Sequence, residues 1–182
     1  MIISVIGDCD KRPVIYCLLK ILQEFGDVLY VSSDSRVLRL AENRQQFGHY
    51  QNVMVAYTQD GFDDFFDDCG YTPGDFNAVL LDNVECVEAD LVLYVAGMVQ
   101  SEFELAQLEY IEEYVTLNIF SRSLYDGTTA KRVEAFEAYA NLYPMSSKIV
   151  SAVVSALSKL NLAPVKTLTK IALREATGSR QK

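Results

Sequence analysis

The chain alternates between short apolar runs and segments of helical periodicity, with turn residues between them. It begins with an apolar run from Ile2 to Ile6, a polar turn from Gly7 to Arg12 and a segment opened by Pro13. In that segment apolar residues recur at helical spacing, at Val14, Ile15, Leu18, Leu19 and Leu22. The pattern predicts a buried strand, a tight turn and a helix that Pro13 starts.

Beyond this unit, apolar runs and helical patterns continue to alternate. Further strands are predicted to begin at Asp27, Asn52, Asn77, Ala89 and Val115. Further helices are predicted at 35–47, 62–68, 101–114, 128–142 and 146–160. We therefore expect an α/β fold with a doubly wound, mostly parallel sheet and helices on both faces. The link ECVE is too short to hold a crossover helix. If the strands before and after it are parallel, they are therefore either not neighbours in the sheet or joined by a link that crosses an edge of a gap.

The 101–114 segment carries a specific signal for the start of a helix. Ser101 is the predicted N-cap, and Glu104 completes a capping box. The residues predicted to face the core are Phe103, Leu105, Leu108 and Ile111. This pattern predicts an amphipathic helix that packs against the sheet.

The 62–68 segment, FDDFFDD, combines aromatic and acidic residues. On a helix its phenylalanines fall on one side and its aspartates on the other, which predicts an acidic surface helix anchored by aromatic packing. A calcium site is the alternative for five aspartates between Asp60 and Asp68, but the ligand alternation and closing glutamate of an EF-hand are absent. His49, the only histidine, is predicted in a loop. A single histidine in a loop is more often a solvated surface residue than a catalytic base.

Composition narrows the class of protein. The 182 residues suit one domain, predicted over 1–162, and no apolar run reaches the ~18 residues of a membrane-spanning helix, so we expect a cytoplasmic protein. The net charge of −9 disfavours general nucleic-acid binding and favours a protein partner. No C-x-x-C pair or adjacent histidine accompanies the cysteines, which predicts reduced thiols without a metal or a disulfide. These are Cys9, Cys17, Cys69 and Cys86.

The last residues, 163–182, are different in character. They carry Lys166, Lys170, Arg174, Arg180 and Lys182 against one glutamate. On a helix, one apolar stripe beside three of these cations would be formed by Val165, Leu168, Ile171 and Ala172. The pattern predicts a basic amphipathic helix or tail, with three candidate roles: packing on the core, binding a partner, or peripheral contact with anionic lipid.

The turn from Gly7 to Arg12 lies where many α/β proteins bind phosphate, because the first amides of a helix are unpaired donors at the positive end of its dipole. A P-loop requires G-x-x-x-x-G-K-[ST] there, and this turn has a single glycine. Asp8 and Asp10 place negative charge where a triphosphate would lie, and Pro13 removes an amide. These residues indicate a nucleotide-binding architecture whose phosphate turn has been lost or repurposed.

The order of these segments resembles the MinD/ParA family of deviant Walker-A ATPases, which are SIMIBI-class P-loop proteins. In that family the second strand ends in a V-D-x-D pattern, a later strand ends in an aspartate that acts on magnesium through water, and the next strand begins with Ala-Asp. Here VLYVSSD places Ser32 and Asp34 at the first pattern, AVLLD places Asp82 at the magnesium aspartate, and ADLVLYVAG matches the strand after it. Asn118 corresponds to an asparagine that lies near adenine in the family.

The resemblance covers about residues 1–160 and is one of strand order, because the phosphate turn departs from the family. The family's K-G-G-x-G-K-[ST] is replaced by GDCDKRP, which leaves Lys11 as the only candidate for the phosphate lysine. Because phosphoryl transfer depends on positioning and electrostatics, losing these parts is expected to remove the chemistry. We therefore predict a pseudo-ATPase with no catalytic residue, cofactor or metal, which acts as a protein-binding scaffold or regulator of a multiprotein apparatus.

The family implies an apparatus of the pilus, secretion, conjugation or partition type, and it adds two candidates: a homodimer, and membrane contact through 163–182. The alternative function is an active ATPase with an unorthodox turn, which uses magnesium with Lys11, Asp34 and Asp82. If nucleotide binds at all, its weak site would comprise Gly7, Lys11, Asp34, Asp82 and Asn118. A third interpretation is a flavodoxin-like or receiver-like fold, although it leaves the last strand and the two closing helices unexplained. Its cation-binding group would be Asp8, Asp10, Lys11 and Asp34.

Overall fold

The computed structural model describes residues 1–40, 47–50, 52–86, 88–97, 100–118 and 147–160. Its strands are β1 (Ile2–Ile6), β2 (Val28–Ser32), β3 (Phe47–Tyr50), β4 (Val53–Tyr57), β5 (Ala78–Asp82), β6 (Leu91–Ala96) and β7 (Val115–Asn118). Its α-helices are α1 (Arg12–Leu22), α2 (Phe62–Cys69), α3 (Glu102–Glu109) and α4 (Ser147–Leu157). Short 3-10 helices lie in the connections, at Gln23–Phe25, Ser35–Leu40 and Pro73–Asp75.

In the described part of the chain, seven strands form one sheet in the order β3-β4-β2-β5-β1-β6-β7. Every neighbouring pair is parallel except β3 and β4, so six parallel strands carry one antiparallel strand at the β3 edge. β5 and β6 lie on the two sides of β1. The strands joined by ECVE are therefore parallel and non-adjacent, and the expected mostly parallel α/β sheet is confirmed.

Helices cover both faces of the sheet, because alternate residues of each buried strand point to opposite sides. On one face α1 and α4 pack over a cluster that includes Ile3, Val5, Leu18, Leu93 and Val150. On the other face the phenylalanines of α2 pack on Leu29, Val31 and Leu81. Beside them α3 contributes Leu108 to a smaller cluster with Ile6, Val92 and Tyr94. The doubly wound arrangement that the sequence predicts is therefore present.

α1 begins as the sequence predicts. Pro13 lies in its first turn, where a fixed φ suits the helix and the missing N–H would have had no partner. Lys11 is the N-cap, and its carbonyl accepts the first two backbone hydrogen bonds, from Val14 and Ile15. The buried side of the helix contains all five apolar residues of the predicted stripe.

Two predictions for residues 35–50 are wrong. Where the helix was predicted over 35–47, the structure has a 3-10 helix at Ser35–Leu40 and β3 from Phe47, and residues 41–46 lie outside the described residues. His49, predicted in a loop, lies in β3, in register with Met54 of β4. The physical reason is that β4 would otherwise present unpaired backbone groups at the sheet edge. A neighbouring segment satisfies them by antiparallel pairing, whatever its helical periodicity.

The capping box predicted at the start of the 101–114 segment is confirmed in α3, although this helix ends at Glu109 and is shorter than predicted. The Glu104 amide donates to Ser101 Oγ at 3.1 Å, and the Ser101 amide donates to Glu104 Oε2 at 2.8 Å. These reciprocal bonds satisfy two of the amides that the start of a helix leaves unpaired.

The predicted inward orientation of Phe103 and Leu105 is wrong. Both side chains are exposed, whereas Leu108 is buried as predicted. Glu104 is itself fully buried, and three consecutive residues of a helix cannot all face the same side. The burial of Glu104 therefore turns its two apolar neighbours towards solvent.

The acidic surface helix is confirmed as α2, with Phe65 and Phe66 buried and its four aspartates exposed. Of the two predicted closing helices, the second is confirmed as α4. The first, at 128–142, and the basic segment at 163–182 lie outside the described residues. Within the described residues, no helix has the length and apolar character needed to span a membrane.

Candidate functional site

The carboxyl ends of β1, β2 and β5 meet at one edge of the sheet, where open parallel sheets usually carry their sites. Val5 of β1 and Ser32 of β2 are both in register with Asp82 of β5. The Gly7 amide donates to Asn83 Oδ1, and Asn83 Nδ2 donates to the Gly7 carbonyl, each at 3.0 Å. The turn between β1 and α1 is therefore bound to the end of β5.

Asp82 is the centre of a buried polar group, here called the Asp82 cluster, which consists of Asp82, Lys11, Tyr30 and Ser32. Lys11 Nζ lies 2.6 Å from Asp82 Oδ1, and the two side chains are only 7% and 13% exposed. Asp82 Oδ2 accepts hydrogen bonds from the hydroxyl of Tyr30 at 2.8 Å and from that of Ser32 at 3.0 Å. Both oxygens of the carboxylate are therefore in contact with side chains of the protein.

The chemistry of each group in the Asp82 cluster suits its contact. Tyr30 and Ser32 are two residues apart on β2, so both side chains lie on the face that carries Asp82. Burial, together with the charge of Asp82, raises the pKa of the Tyr30 hydroxyl well above its usual range. The phenol therefore stays protonated and donates. Lys11 Nζ and Asp82 Oδ1 are in ion-pair contact but outside hydrogen-bond geometry, and neither has another hydrogen-bond partner among the described residues.

Three backbone amides of the turn bind side chains of the protein itself. Besides the Gly7 amide, the Asp8 amide donates to Glu104 Oε1 at 2.8 Å and the Arg12 amide donates to Asp10 Oδ1 at 3.2 Å. Pro13, the next residue, has no amide hydrogen to offer. Three amides in the place where a P-loop binds phosphate are therefore occupied, one by an amide oxygen and two by carboxylates.

Glu104 was predicted as a capping residue, and the structure gives it a second role at the turn. Its side chain is 1% exposed, with Oε2 on the Ser101 amide and Oε1 on the Asp8 amide. The Asp8 carboxylate in turn accepts a hydrogen bond from the Ser101 hydroxyl. The start of α3 is thereby joined to the turn between β1 and α1. The capping-box spacing was the only sequence signal for Glu104, and it carries no information about Asp8.

The same turn packs closely on β6. Gly7 has a φ of 143°, and a Cβ added to it would lie 2.4 Å from the carbonyl oxygen of Val95. The Cys9 thiol donates to that same carbonyl at 3.2 Å. Glycine is required at this position because both the backbone conformation and the space exclude a side chain.

We expect Cys9 to react slowly with iodoacetamide, because burial raises the pKa of its thiol to about 11. The thiolate is the reactive form, so the alkylation rate should keep rising with pH above 9.0, the ordinary thiol pKa. Mass spectrometry of the Cys9 peptide over a series of pH values measures this rate. A rate that levels off below pH 9.0 would show an activated thiol at the helix start and contradict the prediction.

The other two predicted site residues are not members of the Asp82 cluster, although the backbone of one of them contacts it. Asp34 follows β2, and its amide donates to Ser32 Oγ at 3.1 Å, but its carboxylate binds the Arg36 guanidinium. The hydrogen bond from Arg36 lowers the pKa of Asp34 below its ordinary value. Asn118 ends β7, in register with Ala96 of β6, so one strand separates it from β1.

The acidic residues of the predicted cation site have separate partners. Asp10 pairs with Arg12, Asp34 pairs with Arg36, and Asp8 binds Ser101. Within the described residues, no group of three or more histidine, cysteine, aspartate or glutamate side chains is placed to hold a metal ion. The described geometry therefore does not assemble the cation site of a receiver-like protein.

The site geometry thus has two parts, a buried Asp82 cluster and a turn at 7–12 in which three amides bind internal acceptors. Both parts derive from the carboxyl edge of the sheet, the place that the sequence predicts. Comparisons with protein-family models, with curated proteins and with solved structures each found no match, so an assignment of function has to rest on this geometry.

Proposed function

We propose that this chain is a MinD/ParA-like domain that does not hydrolyse nucleotide and acts as a protein-binding scaffold or regulator. The observation that carries the proposal is the set of contacts on Asp82. An aspartate that acts on magnesium through water needs a carboxylate oxygen open to that water. Here Lys11 contacts one oxygen, and Tyr30 and Ser32 bind the other. The Lys11 ammonium supplies the positive charge beside Asp82 that a metal ion would otherwise supply.

The turn supports the same conclusion. A phosphate bound there would have to displace Glu104 from the Asp8 amide and Asp10 from the Arg12 amide. Each hydrogen bond to a charged group contributes about 1.5 to 3 kcal/mol, and the displaced Glu104 carboxylate would stay buried without its partner. Nucleotide binding would also bring phosphates close to the carboxylates of Asp8 and Asp10, and this repulsion disfavours it.

Protein binding is supported by the surface and not by the Asp82 cluster. The net charge of −9 disfavours nucleic acid, and large apolar side chains are exposed on α3, as at many protein interaction sites. The type of apparatus, whether pilus, secretion, conjugation or partition, is proposed from the resemblance alone. A homodimer and membrane contact through 163–182 are proposals with the same basis.

We expect isothermal titration of the whole protein with ATP and magnesium to show no saturable binding up to ~1 mM, a limit equivalent to about −4 kcal/mol. The informative variant is Lys11→Met, which keeps an apolar stem but removes the ammonium. Lys20→Ala, on the same helix, is the matched control for loss of one positive charge. Wild type and both variants should give equally small heats.

Micromolar binding of ATP that Lys11→Met abolishes and Lys20→Ala preserves would overturn the pseudo-ATPase proposal. It would promote the second candidate, an ATPase that uses Lys11, Asp34 and Asp82 with magnesium. One observation favours that candidate: among the described residues, Lys11 Nζ is buried at the carboxyl edge with one ionic partner, and an ammonium has three donors. Release of phosphate by wild type but not by Lys11→Met would establish it.

A further inference from the structure

Phe103 of α3 and Tyr110, the residue directly after the helix, form an exposed apolar surface, here called the α3 face. Their side chains are 48% and 86% exposed. The two residues are seven apart, a spacing that places them on one line along a helix. Leu105 lies on the other side of the buried Glu104, and Tyr114 packs against Tyr94, so neither belongs to this face. Exposed large apolar groups that adjoin in this way are typical of a surface that another segment covers.

The α3 face is surrounded by negative charge. Residues 100–118 contain five glutamates and no lysine or arginine. One of them, Glu104, is buried at the turn, which leaves Glu102, Glu109, Glu112 and Glu113 at the surface. A segment that covers the α3 face should therefore combine an apolar stripe with positive charge.

The end of α4 lies beside this surface. Lys159 Nζ, two residues beyond the helix, is 3.5 Å from Glu113 Oε1, in the connection between α3 and β7. α4 packs on the opposite face of the sheet from α3. The contact between Lys159 and Glu113 therefore shows that the end of α4 reaches the side of the sheet that carries α3. The end of the last described segment is therefore within reach of Glu113.

We propose that residues 163–182 dock on the α3 face of their own chain. The segment has the required chemistry, since its predicted apolar stripe from Val165 to Ala172 has Lys166, Lys170 and Arg174 beside it. It also has the required reach. The residues at 161–164 can span up to ~14 Å when extended. A helix over 165–174 would be ~15 Å long, compared with ~12 Å for α3. The docking is independent of whether nucleotide binds, and a protein partner that uses the α3 face would have to displace the segment.

The acidic helix α2 provides a control surface. It has as many exposed acidic side chains as the α3 region, but its phenylalanines pack into the core. Charge attraction alone would bring a basic segment to α2 as readily as to α3. Apolar contact combined with charge selects α3.

Hydrogen exchange of the whole protein, followed by mass spectrometry, tests the docking. In wild type the amides of 165–174 should exchange slowly. The double substitution Phe103→Ser and Tyr110→Ser should accelerate their exchange by about tenfold or more, because weaker docking increases the fraction of molecules in which the segment is open. Tyr71→Ser removes an exposed tyrosine beyond α2 and is the matched control. Glu109→Gln with Glu112→Gln should also accelerate exchange, whereas Asp63→Asn with Asp67→Asn on α2 should not.

A reciprocal measurement uses Tyr110 as the reporter. Nitration of Tyr110 by tetranitromethane, located by mass spectrometry, should be faster in Leu168→Asp than in wild type, because the charged residue would detach the segment.

Unprotected 165–174 amides in wild type would overturn the proposal, as would protection that the α3 substitutions leave unchanged. Equal effects of the α2 and α3 substitutions would also overturn it. Protection that depends on protein concentration would assign the face to a second copy, and protection that requires anionic vesicles would assign the segment to a membrane.

Discussion

Replacing Asp82 with alanine is expected to lower the free energy of unfolding by about 3 to 5 kcal/mol, because a buried ion pair that loses one partner leaves an uncompensated charge. The Lys11 ammonium would remain at 7% exposure without its carboxylate. Tyr30 and Ser32 would lose their acceptor as well. Urea denaturation of wild type and Asp82→Ala, with the transition midpoint and slope compared, measures the loss.

Two further variants make this measurement specific. Lys11→Met combined with Asp82→Leu removes both charges, so it should recover a large part of the stability that Asp82→Ala loses. Arg36→Ala removes the partner of Asp34 at an exposed pair and should cost less than about 1 kcal/mol. A loss of less than about 1 kcal/mol for Asp82→Ala would mean that Asp82 is open to solvent, as an aspartate of a magnesium site would be. That outcome would also weaken the pseudo-ATPase proposal.

Glu104→Gln is expected to destabilise the protein by about 2 to 3 kcal/mol, the usual loss when a buried hydrogen bond to a charged group is broken. Each carboxylate oxygen of Glu104 accepts one amide hydrogen, from Asp8 and from Ser101. A glutamine has one oxygen, so its NH2 group would face one of these donors. Thermal and urea unfolding should both show the loss.

Glu102→Gln is the matched control on the same helix, since that side chain is exposed in the first turn of α3. It should change the free energy of unfolding by less than about 0.5 kcal/mol. Equal stabilities of the two variants would contradict the description of Glu104 as the buried acceptor at the turn. High salt should leave the difference between them nearly unchanged, because buried charges are screened less than exposed ones.

The sequence pattern predicted the structure correctly where interactions between residues close along the chain determine it. The apolar run of β1, Pro13 at the start of α1 and the capping box of α3 each involve groups within about one helical turn or one strand, and all three were predicted correctly. The position of Asp82 at the carboxyl edge followed from the same logic, since parallel strands place their carboxyl ends together.

Pattern failed where a long-range partner overrode a local preference. β3 forms because β4 offers unpaired backbone at the sheet edge, although the preceding residues have helical spacing. Phe103 and Leu105 face solvent because the Asp8 amide, 96 residues before Glu104, binds that carboxylate and fixes the rotation of α3. No local signal in α3 reports a donor so far away along the chain.

By itself the sequence determined every described strand except β3, most of the described helices and the edge of the sheet where the site residues gather, because apolar periodicity and helix capping act over a few residues. Only the tertiary structure decided what those residues bind. Lys11, Tyr30 and Ser32 converge on Asp82 from two other segments of the chain, and the strand order that brings them together depends on which faces the helices cover. Buried charges need partners, and packing determines which partner each charge reaches.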